Sequence, residues 1–117
     1  MVKLETELGS VRIASDVFTY LTGDAATNCF GVKGMAVRSV TDGLVHLLRR
    51  ESMGKGVLVT YNADGTISIE LHIVVDCGVN IPVICQSIQS EVRYKVTHAT
   101  GVQVERVDVF VDSMTIC

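Results

Sequence analysis

Apolar and polar residues alternate most strictly between Thr66 and Asp76. There Ile67, Ile69, Leu71, Ile73 and Val75 interleave with Ser68, Glu70, His72, Val74 and Asp76. A period of two is that of a strand with one face in a core. The run Val57-Leu58-Val59-Thr60-Tyr61 precedes it, and Asn62-Ala63-Asp64-Gly65 lies between them. Asp64-Gly65 accepts the positive φ of a tight turn, so the two runs are predicted to form a hairpin. After Gly78 the period changes. Ile81, Ile84, Cys85, Ile88, Val92, Val96 and Ala99 recur at spacings of three and four, the stripe of an amphipathic helix. Pro82 suits its first turn, Asn80 can cap it, and Gly101 is a natural stop.

The flanking segments carry weaker patterns. Glu7 to Ala14 reads as a first strand, with Val11 and Ile13 opposite Arg12. Ser15 or Asp16 can cap a helix whose apolar face is Val17, Phe18, Leu21, Ala25 and Cys29, ended by Gly31. Val32 to Arg38 continues as a strand. Thr41 or Asp42 then precedes a predicted short helix, Gly43 to Glu51, with Leu44, Val45, Leu47 and Leu48 as its apolar residues. Ser52-Met53-Gly54-Lys55-Gly56 is a flexible link. Val102, Val104, Val107, Val109 and Val111 make a last strand whose parity changes midway, which predicts a bulge near Glu105-Arg106. Residues 113–117 have too little pattern to place. The expected architecture is one α+β domain over residues 1–117, in the order β-α-β-α-β-β-α-β. Its mixed sheet has the hairpin at the centre and the helices on one face.

Composition narrows the partners. The chain of 117 residues is 48% hydrophobic, without tryptophan, and has a formal net charge of −3. Residues 1–56 carry seven basic and six acidic side chains, and residues 57–117 carry three and seven. An acidic second half disfavours wide contact with nucleic acid, which needs clustered lysine and arginine. No stretch is long and apolar enough to cross a membrane, and the N-terminus lacks the apolar segment of a signal peptide. A cytoplasmic protein is expected. Cys29, Cys77, Cys85 and Cys117 form no Cys-x-x-Cys pair and are expected as free thiols.

Candidate chemistry is sparse. Gly31-Val32-Lys33-Gly34 follows a helix, the wrong context for a phosphate loop. His46, His72 and His98 lack metal ligands at helical or strand spacing. His72 is the best placed, because Glu70 and Asp76 share its strand face and Asp108 and Asp112 join them if the last strand pairs nearby. Such a group suits a cation or a basic partner, although a solvated sheet face is the commoner meaning. Cys85 falls in an apolar stripe and Cys77 closes an apolar strand, as structural cysteines do. No constellation supports an enzyme, a metal site or a cofactor.

The segments FGVKGMAV, DGLVHLLRRESMGKGVLV, DGTISIELHIVVDCGVNIPVICQSIQSEVRYKV and THATGVQVERVDVFV together resemble the alkaline-shock, or envelope stress response, protein family. The similarity runs from about Gly9 to Val111, and its most specific piece is Gly78-Val79-Asn80-Ile81-Pro82. It implies a small cytoplasmic protein without a catalytic site, linked to envelope stress. It also implies indirect membrane association through a separate anchor protein rather than direct insertion. It assigns no functional residue, and Cys29, Cys85 and Cys117 lie outside the family pattern.

The expected function is therefore a non-catalytic interaction or scaffold protein of cell-envelope homeostasis, acting by self-association or by docking on a protein. The candidate partner surface is Glu70, His72, Val74, Asp108, Phe110 and Asp112, where Val74 and Phe110 place apolar side chains among polar ones. The alternative is a nucleic-acid-binding module using Arg49, Arg50 and Lys55.

Overall fold

The structure is a computed structural model describing residues 2–38, 45–48 and 56–116, the side chains of 35–38 and 45–48 excepted. Its elements are β1 (Val2–Thr6), β2 (Gly9–Ile13), α1 (Ser15–Thr27), β3 (Val32–Arg38), β4 (Val45–Leu48), β5 (Val57–Tyr61), β6 (Ile67–Val75), α2 (Ile81–Thr100) and β7 (Val104–Met114). The class is α+β, as the alternation and the helical stripe predicted.

Strand β6 is the centre. Its residues 67–71 pair antiparallel with β5 and its residues 73–75 pair antiparallel with β3. Strand β7 runs parallel to β6 along its whole length. Since both halves of β6 also pair with β7, β5 and β3 lie end to end on the opposite edge. Strand β4 extends the sheet beyond β3, and β1 and β2 form a separate two-stranded sheet. The parallel pairing follows from α2, which carries the chain back over the sheet before β7 begins.

Ile67, Ile69, Leu71, Ile73 and Val75 are fully buried on one face. Phe18, Ala25 and Ala26 of α1 and Ile84, Ile88, Val92 and Val96 of α2 cover them. A salt bridge from Lys95 to Asp24 ties the helices together beside this core. Helix α2 begins as expected: Asn80 Oδ1 accepts from the Val83 amide at 3.3 Å, with Pro82 in the first turn. It ends on Gly101 at φ 76°, whose amide donates to Thr97 O at 2.8 Å. Gly31 has φ +88°, and a Cβ there would lie 2.4 Å from Ile84 Cδ1. The exit of α1 is thus pressed against the start of α2, where only glycine fits.

Four expectations change. The single first strand is a hairpin, because Val2 and Leu4 alternate with Lys3 and Glu5 just as Val11 and Ile13 do with Arg12. The N-cap position of α1 is Ala14, which offers no side-chain cap, and Val17 is 44% exposed while Thr22 and Ala26 face inward. Residues 45–48 of the expected short helix form β4, because the edge of β3 offers backbone partners; residues 43, 44 and 49–51 lie outside the described residues. Ala99 is exposed rather than part of the α2 stripe. The bulge does occur, with Glu105 skipped between Val104 and Arg106, and a second one skips Asp112.

Candidate functional site

The sheet face away from the helices gathers most of the expected surface residues. Parallel register sets Glu70 beside Asp108 and His72 beside Phe110. The two rings stack with centroids 4.8 Å apart and planes 14° apart. The bulge at Asp112 turns its carboxylate back toward β6. Asp112 Oδ2 lies 2.8 Å from His72 Nδ1, and Glu70 Oε2 lies 3.1 Å from His72 Nε2. Each ring nitrogen thus faces a carboxylate, and an ionised carboxylate only accepts. The His72 ring is held at both ends and from one face, a rigid support for Phe110.

Burial departs from the expected solvated face. His72 is only 7% exposed and Val74 is likewise buried, so neither is a free surface residue. Phe110 remains 43% exposed. Asp108 lies toward its rim, where Arg106 Nη2 donates to Asp108 Oδ1 at 3.1 Å. Leu58 of β5, paired with Glu70 and well exposed, adds an apolar contact point on the same face that sequence reasoning did not select. The signal was present: Leu58 lies one residue out of phase with Val57 and Val59.

The other chemistry-bearing residues are scattered. His98 lies on α2, stacked on Tyr94 at 5.5 Å and far along the chain from His72. Cys29 and Cys85 are half-buried free thiols. Burial pushes both thiols up, and the Glu91 carboxylate adds to the rise at Cys29. Cys77, expected free, is disulfide-bonded. The parallel run of β6 and β7 explains why the C-terminal segment comes close to it: Thr115 Oγ1 accepts from the Cys77 amide at 3.0 Å. Arg49, Arg50, Lys55 and Cys117 lie outside the described residues, and nothing is said of the His46 side chain. Among the described residues no group of three or more His, Cys, Asp or Glu is arranged to hold a metal ion.

Residues 3–116 match the model of the alkaline shock protein family, whose description is a cell envelope-related function. The chain belongs to that family. The alkaline shock relatives include the uncharacterised protein YloU of Bacillus subtilis, 31% identical over 98% of this chain and 96% of its own. Uncharacterised protein Spy1614 of Streptococcus pyogenes is 34% identical over 98% of this chain and 95% of its own. YqhY of Bacillus subtilis is 33% identical over 92% of this chain and 78% of its own. Among solved structures, a variant of the MamM CTD is similar in fold, with a TM-score of 0.50 and 16% identity, covering 85% of this chain and 94% of that one. Among the described residues no helix of this alkaline shock family member is long and apolar enough to cross a membrane.

Proposed function

We propose that this protein is a non-catalytic interaction domain of cell-envelope homeostasis, acting from the cytoplasm, whose outer sheet face docks on a basic protein surface. The observation that carries the reading is Phe110, a half-exposed aromatic stacked on a buried histidine that two carboxylates hold. Rigid aromatic anchors ringed by polar groups are the usual energetic centres of protein interfaces. The rim here is acidic: Glu70, Asp108 and Asp112 against Arg106 on the same face. Two such faces meeting each other would set like charges together, which disfavours face-to-face self-association and favours a basic partner. The cell envelope-related function of the family supplies the context. The nucleic-acid alternative draws no support from this acidic face.

Affinity capture on the parent and on Phe110→Glu tests the reading, with circular dichroism as the folding check. A partner that the parent retains, that salt elutes and that the folded variant loses is the expected result. Identical partner sets on two equally folded proteins would sink it.

A further inference from the structure

Strand β7 has a free side. It spans 11 residues and, among the described strands, pairs with β6 alone. Backbone groups of successive strand residues point to opposite sides, and Val107 O faces away from β6, because Gln89 Nε2 donates to it at 2.9 Å. Over the regular stretch 107–111 the same parity turns the amides and carbonyls of Val109 and Val111 outward. Helix α2 seals the first part of this edge through Gln89 and through Arg93 Nη2, which donates to Glu105 O at 3.3 Å. The described contacts place no such side chain on Val109 or Val111. Proline and lysine, two of the devices that blunt an edge, are missing from Val104–Met114, and the two bulges, at Glu105 and Asp112, flank the stretch 107–111 without interrupting it.

We propose that this edge pairs with β7 of a second copy of the chain, antiparallel about a two-fold axis at Val109. Charge complementarity favours a second copy as the occupant, and charge together with the coverage by α2 selects the register. Opposing outward residues allow an axis at any position from 107 to 111, through an outward residue or through the inward one between two of them. An axis at Val109 sets Val107 opposite Val111 of the other copy and brings Arg106 beside the other copy's Asp112, twice over. Moving the axis by one residue either way, a register slip of two, sets Asp108 opposite Asp108 or Asp112, like charge against like. An axis at Val107 also opposes Arg106 to Asp108 but centres the seam on the carbonyl that Gln89 occupies, and an axis at Val111 leaves Arg106 no acidic partner. Asp112 gives one oxygen to His72 and keeps the other for Arg106. Val107 O keeps a second lone pair beyond Gln89. Between α2 and β7 runs a groove of about 720 Å³ bordered by Gln86, Gln89, Ser90, Arg93 and Glu105, room in which the polar flank of the second α2 meets the first. The pairing joins two five-stranded sheets into one and leaves Phe110 of each copy on a common outer face. It stands on backbone geometry and does not depend on the docking proposed for that face.

Two variants test it. Val109→Pro deletes an outward amide and no bond to β6, a position where an edge strand tolerates proline. Sedimentation of the whole chain at tens of micromolar is expected to give a dimer, and the folded Val109→Pro protein a monomer. Phe110→Ser, which removes the docking aromatic and sets no charge opposite the second copy's Asp108, is expected to stay dimeric, so the two readings fail separately. Val109→Cys supplies the second measurement, in case proline prevents folding. Directly opposed residues of a bonded antiparallel pair have Cα atoms about 5.5 Å apart, within disulfide reach. Mild oxidation should link this variant as a covalent dimer but not Leu58→Cys, on the outer face of β5. A parent that is monomeric at these concentrations overturns the proposal, and so does a folded Val109→Pro dimer. Where that variant does not fold, failure of the Val109→Cys link overturns it.

Discussion

His72 is the side chain whose surroundings are most sharply defined. It is a buried polar residue on the sheet face opposite the core, and each of its ring nitrogens lies within hydrogen-bond distance of a carboxylate, Glu70 or Asp112. Removing it leaves two carboxylates facing each other across the space of the ring and strips Phe110 of its stacking partner. Unpairing buried polar groups of this kind costs about 1–3 kcal/mol. Urea unfolding of His72→Ala is expected to show a loss in that range, with the slope unchanged; a variant as stable as the parent would mean that the carboxylates hold themselves in place. Much of this cluster could be read from the chain. Strand alternation places Glu70 and His72 on one face, and the inferred bulge gives Asp108 and Phe110 their phase. What alternation could not supply is burial. His72 is covered because β7 lies parallel beside it in one particular register, and Asp112 reaches it only through a second bulge, for which no residue gives a local signal.

Helix α2 shows the most direct passage from pattern to element, since its cap, its proline, its terminal glycine and the stripe from Ile84 to Val96 fall where the sequence places them, and Ala99 alone turns outward. The energies differ by kind. Ile88 is fully buried, and truncating such a side chain costs about 2–5 kcal/mol. Asn80 contributes one hydrogen bond to an exposed end, and losing a cap costs about 0.5–2 kcal/mol. Thermal unfolding should therefore rank Ile88→Ala below Asn80→Ala, and Asn80→Ala below the exposed control Gln86→Ala. An Ile88→Ala protein matching the control would remove α2 from its place on the sheet. Strand β4 marks where this kind of reading stops. Val45-His46-Leu47-Leu48 is a short apolar run, and such runs fit a buried helix turn or a strand equally well on periodicity. The choice is made by β3, whose edge accepts these residues from Met35 to Arg38. Strand β1 was legible: Val2 and Leu4 alternate with Lys3 and Glu5, and Gly9 lies where the turn must close.

Charge and shape together bear on how a cell envelope-related protein reaches the envelope. Among the described residues no helix is fit to span a bilayer, and residues 57–117 carry three basic against seven acidic side chains. Attraction to an anionic leaflet comes from clustered lysine and arginine, each contributing roughly 1 kcal/mol near the surface. The densest basic group, Arg49, Arg50 and Lys55, supplies three such residues, set against an acidic outer face at Glu70, Asp108 and Asp112. Net repulsion should win, and any approach to the membrane would then be made through a protein. In flotation with vesicles rich in phosphatidylglycerol, at physiological salt, the purified 117-residue chain is expected to stay at the bottom of the gradient. Lowering the salt lengthens the range of the repulsion as well as of the attraction, so it should not bring the protein up. Flotation with anionic but not neutral vesicles would show that the basic group outweighs the acidic face and that direct lipid contact takes the place of the docked partner.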